Sequence, residues 1–431
     1  MRIVYNNCCG LDVHKKIIVC CIRNGKNTSK KTFGATTDDL ESMADWLVDN
    51  TVDMVAMEST ASYWKPVFNI LEERGLKAMV VNAQHMKNVP GKKTDENDAE
   101  WIADLLQHGL LNASYIPPRE QRELRETLVY RRSLVSENTA ELNRAQKMLE
   151  GANIKLSGTI SNIDGMSGRY VLDELIAGKH LTEADIIDLQ KKGHVSPRLK
   201  ATPKELAKAL NGLFTTAQLK NLQDALSHHD NLAKMISKIG ERIRESLSDE
   251  QKEAVSLLRT IPGVSELSAI SIVAVIGTDM DQFETADRLC SWAGICPGNY
   301  ESAGKKRPTH CTKGNGLLRY TLIQCAAAAS RTKGTFLKAR HDKIAYRRGK
   351  CKAKMAIARS ILVSIFHMLR KRETYKDLGS DYYKERNMEN EKKIIRNKIQ
   401  NSLFTKEEML EILKEVDFSY PNCRTLYRKR D

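Results

Sequence analysis

The chain contains 431 residues and carries 69 Lys and Arg against 54 Asp and Glu, a formal net charge of +15 with a pI near 9.2 that indicates a polyanionic partner. Hydrophobic residues make up 41% and charged residues 29%, which is typical of a globular protein and excludes a largely disordered chain. No apolar run reaches the roughly 18 to 20 residues of a membrane-spanning helix and no secretory leader is present, so we expect a cytoplasmic protein without a membrane partner.

The first hundred residues alternate between strand and helix patterns. The predicted strands are residues 8–13, 16–23, 31–33, 52–57 and 76–82, with a hairpin turn at Asn24-Gly25. The predicted helices are residues 38–48, 63–74 and 95–111. Antiparallel strands followed by this αβαβα order predict a ribonuclease H-like α/β layer.

Ten cysteines raise the question of disulfides or zinc. Two adjacent pairs, Cys8-Cys9 and Cys20-Cys21, lie inside apolar strands, and the chain has neither a CxxC knuckle nor a zinc-site His pair. We therefore expect these cysteines to be small residues of the hydrophobic core.

After Pro117-Pro118 the pattern becomes helical. A heptad seam is predicted at Leu128, Val135, Leu142 and Leu149. A second apolar stripe, which could pair with the seam, consists of Leu222, Leu226, Ala233, Ile236, Ile239, Ile243 and Leu247. The two form either a hairpin within one chain or a dimer, and residues 151–203 between them give no functional prediction.

A third block, from residue 257 to residue 378, begins with Ile261-Pro262-Gly263-Val264. This run resembles a helix-hairpin-helix, whose turn offers backbone N–H groups to a DNA phosphate. Ser265 stands where that motif usually has a second glycine, so a plain helix-packing unit is an equal alternative. The fold class is thus α/β plus α. The expected segments are an α/β domain (1–116), a helical coiled-coil region (117–254), a mainly helical domain (255–378) and a polar helical tail (379–431).

Most of the net positive charge lies in one tract, residues 303–354, which has fifteen basic residues and one acid, Asp342. A run with almost no acids repels itself unless an anion neutralises it, and nucleic-acid phosphate is the anion that best fits. A merely solvated face and an acidic membrane are the alternatives. The residues predicted to contact nucleic acid are Lys305, Lys306, Arg307, Lys313, Arg319, Arg347, Arg348 and Lys350.

Four acids lie at positions that come together in a ribonuclease H-like layer. Asp12 is near the end of the first strand, Glu58 follows the buried strand at 52–57, and Asp95 and Asp98 are three residues apart at the start of a helix. Grouped carboxylates require divalent cations, and two Mg²⁺ ions held this way can clamp a phosphoryl group during in-line displacement. Each acid taken alone could equally be a surface or capping residue.

Ser302 follows a turn at Pro297-Gly298 and precedes Lys305, Lys306 and Arg307. This pattern predicts a loop in which three cations could stabilise a phosphoryl transition state beside the serine hydroxyl. Ser291 is a rival, although Trp292-Ala293-Gly294 beside it indicates packing.

The motifs around these residues resemble one family. GLDVHKK, AMESTASYWKP and KTDENDAEWIADLL are similar to the tetrad motifs of the DEDD transposases of the insertion-sequence one-ten (IS110) family. IPGVSELSAISIVAVIG, LCSWAGICPGNYESAGKKR and KGNGLLRYTLIQCAAAA resemble the family's second conserved domain. The two sets, in the family's order, cover well over half of the chain.

The resemblance implies a recombinase that excises and inserts a mobile element in a bacterial or archaeal nucleoid. A RuvC-like domain would supply Asp12, Glu58, Asp95 and Asp98 as Mg²⁺ ligands, and the second domain would supply Ser302 as nucleophile. Donor and target DNA, a structured non-coding bridge RNA and further copies of the chain, as a dimer or tetramer, would be its partners.

Two other functions stay open from the residues. One is a RuvC-like, structure-selective nuclease that uses metal-activated water, and the other is a non-catalytic nucleic-acid-binding architectural protein. His14 and Lys15 are either phosphate contacts or a solvated strand end. Tyr63 and Trp64 are either base-stacking platforms or core residues.

Overall fold

The computed structural model describes residues 3–59, 61–81, 98–298, 311, 314–400, 405, 407 and 408, and the backbone alone at 301–302 and 305–306. By internal contacts the chain divides into two units, Met1–Pro118 and Arg119–Asp431. The predicted division into four segments stays a prediction. Within the described ranges, no helix combines the length and apolar character that a bilayer crossing requires.

A single five-stranded sheet organises the first unit. Its strands are β1 Asn7–Val13, β2 Ile17–Asn24, β3 Asn27–Gly34, β4 Met54–Glu58 and β5 Ala78–Val81. Their order is β3-β2-β1-β4-β5, with β3, β2 and β1 antiparallel and β1, β4 and β5 parallel. All five predicted strands are present, and the topology fits a ribonuclease H-like layer. Strand β3 is longer than predicted because it pairs with β2 throughout, although most of its side chains are exposed.

Three described helices cover the two faces of this sheet: α1 Thr37–Asp49, α2 Trp64–Glu73 and α3 Asp98–Gln107. Helix α1 begins where it does because Thr36 and Asp39 form a reciprocal capping box. Helices α1 and α2 bury their apolar side chains against one face, which includes Leu11 and Met57. Helix α3 packs on the opposite face, against Cys8 and Ala56.

Gly10 allows α3 to lie directly on β1. A Cβ at Gly10 would stand 2.2 Å from the carbonyl oxygen of Ala99 and 2.4 Å from the nitrogen of Ala103. Cys8 Sγ lies 3.6 Å from the carbonyl oxygen of Ala103. Since Ala103 lies beside the start of β1 and Ala99 lies further along it, α3 runs antiparallel to β1.

Replacing Gly10 by alanine should destabilise the first unit by about 1–3 kcal/mol or more, because the new methyl group overlaps helix backbone that cannot yield as a side chain would. Urea unfolding of the full chain measures the change. Gly151→Ala is the control, since a Cβ there meets nothing within 4 Å. Equal unfolding midpoints for Gly10→Ala and the parent chain would refute the close approach of α3.

The cysteines of β1 and β2 are buried, as the sequence predicted. Burial raises the pKa of Cys8 and of Cys21 to about 11. The pKa of Cys9 lies well above its ordinary value, first because of burial and second because of a hydrogen bond with Cys20. These thiols are therefore protonated at neutral pH and contribute to the core as apolar groups.

Alkylation by iodoacetamide at pH 8 should modify Cys351, which is exposed, while Cys8, Cys9 and Cys21 react only after unfolding. Because the folded-state pKa of Cys8 and Cys21 is about 11 against an ordinary 9.0, their contribution to stability is complete below pH 9 and is lost as the pH rises towards 11. Peptide mass spectrometry with and without denaturant measures which cysteines are alkylated. Rapid native labelling of Cys8 would contradict it.

Helices dominate the described part of the second unit. They are α4 Arg119–Gly151, α5 Leu156–Thr159, α6 Met166–Ile176, α7 Glu183–Lys191, α8 Pro203–Leu210, α9 Thr216–Glu245, α10 Asp249–Arg259, α11 Glu266–Ile276, α12 Ala286–Trp292, α13 Gly316–Ala329, α14 Phe336–Arg348, α15 Lys350–Lys371 and α16 Tyr382–Gln400. Two short strands, β6 Glu301–Ser302 and β7 Lys305–Lys306, pair between α12 and α13.

The long helices α4 and α9 pack against each other within one chain. Leu149 shares a hydrophobic cluster with Leu222, whereas Leu128 shares another with Ile243. The end of α4 therefore meets the start of α9, so the two helices are antiparallel. Of the two arrangements that the apolar stripes allowed, the structure has the intramolecular hairpin.

One predicted apolar position is wrong at the middle of each helix, in the heptad seam of α4 and in the apolar stripe of α9. Val135 is 38% exposed and Leu134 is buried in its place, while Ala233 is exposed and Leu232 is buried. A straight helix has 3.6 residues per turn, so a strict heptad stripe drifts around it and the buried position moves by one residue. A supercoiled coiled coil stays a prediction.

The segment that resembles a helix-hairpin-helix joins α10 to α11. Gly263 has a φ of +87°, and a Cβ there would stand 2.4 Å from the nitrogen of Ala329. The turn thus packs against the end of α13. Ser265 caps α11 by accepting a hydrogen bond from the N–H of Ser268. These contacts support the helix-packing alternative, and phosphate binding by this turn stays a prediction.

Candidate active site

Two predicted acids lie side by side where β1 and β4 end. The parallel register pairs Leu11 with Met57, so Asp12 and Glu58 each follow by one residue on neighbouring strands. Side chains alternate between the faces of a sheet, and neighbouring strands are about 4.8 Å apart. Asp12 and Glu58 therefore share one face, the face that carries Gly10 and is covered by α3.

Asp98 is brought to the same end of the sheet. It is the first residue of α3, and the next residue, Ala99, contacts β1 at Gly10. The antiparallel direction of α3 places its start at the end of β1 where Asp12 lies. Asp98 is half-buried, with its Oδ1 atom shielded from solvent. Asp95 lies outside the described residues, so its membership of the group stays a prediction.

Two ion pairs hold α3 over the antiparallel part of the sheet. Arg23 on β2 donates to Asp104, and Lys30 Nζ lies 2.7 Å from Glu100 Oε2. The hydrogen bond between Lys30 and Glu100 raises the pKa of Lys30 and lowers that of Glu100. Because the Lys30–Glu100 pair is largely exposed, it contributes little stability, and packing at Gly10 has the larger part in fixing α3.

His14 contacts the acid group in a way that the sequence did not specify. Its Nε2 lies 2.9 Å from Asp12 Oδ2, and its side chain is 57% exposed whereas that of Asp12 is 21% exposed. The backbone N–H of His14 donates to the carbonyl of Ile17, which closes the turn between β1 and β2. An imidazole at this position can orient the Asp12 carboxylate while facing solvent.

The carboxylate group fits a divalent cation. Asp12, Glu58 and Asp98 offer hard oxygen ligands from two strand ends and one helix start, which is the donor chemistry that Mg²⁺ prefers. The half-buried positions reduce competition from bulk water. The described geometry is therefore suited to holding a divalent metal ion.

Ser302 lies in a strand and not in the predicted loop. Its partner across the β6–β7 pair is Lys305, and Glu301 pairs with Lys306. An isolated bridge joins Pro297 to Cys311, so the segment between them folds back on itself. Small and basic residues such as those of this segment have little strand propensity, so no local pattern in the sequence indicates this pairing.

The base of this hairpin is fixed by a glycine that the sequence did not single out. A Cβ at Gly314 would stand 2.3 Å from the nitrogen of Gly294 and 2.4 Å from the carbonyl carbon of Ala293. Trp292 packs nearby, with its ring 5.4 Å from that of Phe283. The Trp292-Ala293-Gly294 run thus has the packing role that was predicted, and the rival Ser291 is exposed on α12.

The described part of the basic tract presents a cationic corner between α14 and α15. Gly349, with a φ of +83°, separates the two helices. The basic corner consists of Arg347, Arg348, Lys350 and Lys352, all exposed. Asp342 forms side-chain hydrogen bonds with Lys338 and His341. Both lower the pKa of Asp342, and the bond with Lys338 has the larger effect. Arg319 is half-buried on α13, whereas Arg307 and Lys313 lie outside the described residues and only the backbone is described at Lys305 and Lys306.

A separate group of possible metal ligands lies in the second unit at Asp164, His229 and Asp230. His229 directs Nε2 to Asp164, at 3.6 Å, and Nδ1 to Asp230, at 3.3 Å. Arg169 also donates to Asp230. Two different ring nitrogens face the two carboxylates, so the group has the geometry of an ion-pair network that joins α6 to α9.

Comparison with models of protein families gives two matches along the chain. The model for DEDD transposases of the IS110 type, described as "Transposase", matches residues 9–154. The model described as "Transposase IS116/IS110/IS902 family" matches residues 255–342. The chain belongs to the IS110 family of DEDD transposases. A search of curated proteins gave no significant match.

Membership of this family identifies the chain as an enzyme that acts on DNA. It therefore excludes the alternative of a non-catalytic, nucleic-acid-binding architectural protein. The first match includes Asp12, Glu58 and Asp98, and the second includes Ser302 and most of the basic tract. Transposases of the DEDD class generally use divalent metal ions, in agreement with the carboxylate group of the first unit.

Proposed function

We propose that this transposase excises and inserts an insertion sequence by Mg²⁺-dependent phosphodiester exchange, with Ser302 as a covalent nucleophile and a bridge RNA as guide. The observation that carries the proposal is the placement of Asp12 and Glu58 on one face of adjacent strand ends, with Asp98 opening the helix that covers them. Such a site is built to hold metal and phosphate, and DNA is the substrate of the family.

Asp12, Glu58, Asp98 and, we infer, Asp95 would hold two Mg²⁺ ions. Bound there, Mg²⁺ supplies charge stabilisation for the phosphoryl group and lowers the pKa of an attacking hydroxyl. His14 keeps the Asp12 carboxylate oriented through the 2.9 Å contact. The other side of this imidazole faces solvent.

In the cleavage step, Ser302 Oγ forms a bond to phosphorus while the bond from phosphorus to the 3′-oxygen breaks. The serine gives up its proton, the departing 3′-oxygen gains one, and a 5′-phosphoserine and a free 3′-hydroxyl result. The backbone pairing of Lys305 with Ser302 supports this role, since a cation near the serine would stabilise charge in the transition state. Attack by a 3′-hydroxyl of another strand then reverses the chemistry and releases Ser302.

The basic corner and the neighbouring cations of the tract would follow the nucleic-acid backbone. Exposed, closely spaced Arg347, Arg348 and Lys350 are suited to phosphate contacts that release counterions. They carry little base specificity, which agrees with recognition delegated to RNA. A homo-oligomer, as dimer or tetramer, would allow two DNA ends to be processed together.

RNA guidance is tested by a strand-exchange assay with purified transposase, donor DNA, target DNA and the structured RNA transcribed from the element. We expect exchange to require the RNA and to move to a new target when the pairing bases of the RNA are changed. RNA with the same structure but scrambled pairing loops is the control. Sequence-specific exchange by RNA-free protein at physiological salt would contradict guidance and leave the family activity intact.

A RuvC-like nuclease that uses activated water is the second candidate, favoured by the same carboxylate group. It differs by having no covalent intermediate. Cutting of four-way junctions at an unchanged rate by Ser302→Ala would support the nuclease.

A further inference from the structure

A groove with polar and apolar lining runs along the second unit between α4, α11 and α13, away from the basic corner in sequence and lined by different helices. Its volume is 580 Å³, within the range of about 300–1,000 Å³ that is common for ligand pockets. Helix α4 contributes one long wall, while the starts of α11 and α13 form the other.

The lining combines two cationic side chains with polar and apolar ones. Its fifteen residues include two arginines, two side-chain amides, one tyrosine and five hydroxyl residues, and none of them is an acid. A protein interface usually has an apolar core, and here the apolar side chains are interspersed with these polar groups. The amides of Asn143 and Gln324 are able both to donate and to accept hydrogen bonds.

Arg131 is held at this groove without a full set of partners. Its Nε atom is buried and has no hydrogen-bond partner within the described residues. A Cβ at Gly240 would stand 3.7 Å from this Nε and 3.9 Å from Arg244 Nη1, so two guanidinium groups flank one glycine. Burial first and the charge of Arg244 second lower the pKa of Arg131. Arg244 Nε donates to Glu266 at 2.9 Å, so the second guanidinium group is paired with a carboxylate.

Tyr320 provides a flat surface beside these cations. Its side chain is 46% exposed, and the guanidinium carbon of Arg132 lies 4.0 Å from the centre of its ring. An arginine stacked on a tyrosine forms a planar, cationic platform. Aromatic platforms next to positive charge are the usual means by which proteins bind unpaired bases and their phosphates.

We propose that this groove binds a single nucleic-acid strand, with phosphate at Arg131 and Arg132 and a base stacked on Tyr320. The inference depends on the transposase acting on nucleic acid and not on the covalent mechanism or on RNA guidance. An unpaired segment of DNA and an unpaired segment of guide RNA offer the same chemistry to the groove, and the test separates them.

The test compares the binding of fluorescently labelled single-stranded DNA and RNA 20-mers to the full-length protein by anisotropy. Tyr320→Ala should weaken binding of at least one of them about 5- to 150-fold, the range that stacking of one base contributes, whereas Tyr320→Phe should restore it. Tyr130→Ala is the matched control, since Tyr130 is also on the surface, 48% exposed, and does not line the groove. A stronger effect on RNA would assign the groove to the guide, and a stronger effect on DNA would assign it to the substrate.

Photocrosslinking with bromouracil-substituted strands locates the contact independently. We expect a crosslinked peptide that contains Tyr320. Unchanged affinity in Tyr320→Ala together with crosslinks elsewhere would overturn the proposal. So would a Tyr320→Ala protein that sediments as a smaller species while each protomer binds the strands normally, because the groove would then be an interface between copies. The Ser302→Ala protein should bind both strands normally, so failure of the covalent mechanism leaves this test unaffected.

Discussion

Replacing Asp12 by asparagine should reduce DNA cleavage by about 10³-fold, because it removes a negative charge and a metal ligand while keeping the shape of the side chain. Glu58→Gln should have a similar effect, since Glu58 lies beside Asp12 at the end of the neighbouring strand. Cleavage of labelled donor DNA in the presence of Mg²⁺ measures the rate. Calorimetric titration with Mn²⁺ provides a second readout, in which both variants should bind the metal more weakly than the parent protein.

The control for these variants is Asp53→Asn. Asp53 is exposed and directly precedes β4, at the opposite end of the strand from Glu58. We expect its cleavage rate to stay within about twofold of the parent rate, because exposed substitutions away from a site have small effects. Full activity and unchanged Mn²⁺ binding in both Asp12→Asn and Glu58→Gln would show that the site lies elsewhere.

Replacing Ser302 by alanine should eliminate the covalent protein–DNA adduct and with it strand exchange. The expected loss is complete for the adduct, since no other atom at that position can form the ester bond. Denaturing electrophoresis with labelled donor DNA detects the adduct as a slower band that is sensitive to protease. Metal binding and DNA binding should remain unchanged.

Ser291→Ala is the matched control for Ser302. Ser291 lies on α12 and Ser302 on β6, which follows α12 in the chain, and Ser291 is exposed. The adduct should form at the parent level in Ser291→Ala. An adduct that persists in Ser302→Ala would transfer the role to another residue, whereas cleavage without any adduct in the parent protein would favour the water-activating nuclease.

The first unit was largely predictable because its signals are local. Apolar strands such as 8–13 and 52–57 and the hairpin signal at Asn24-Gly25 predicted the sheet and its order. The same alternation placed Asp12 and Glu58 at strand ends. The contact between His14 and Asp12 was not specified, because the residue type alone does not tell a phosphate contact from a carboxylate partner.

The second unit was less predictable because long-range packing decides its details. The apolar stripes predicted the two long helices. The heptad spacing placed Val135 in the core, whereas the buried residue is Leu134. Ser302 was expected in a loop because of the turn signal at Pro297-Gly298, and no local pattern indicated its pairing with Lys305. The groove at Arg131 and Tyr320 joins residues from distant parts of the chain, and no local pattern marks it.

Mass spectrometry of the trapped protein–DNA adduct tests the central claim most directly. After nuclease and trypsin digestion, the peptide spanning residues 289–305 contains both Ser291 and Ser302, so fragmentation must locate the nucleotide on one of them. We expect the modification on Ser302, formed only with divalent metal and absent in Asp12→Asn. A nucleotide located on any other residue, or an adduct that forms equally well without metal, would contradict the coupling of Ser302 to the carboxylate group.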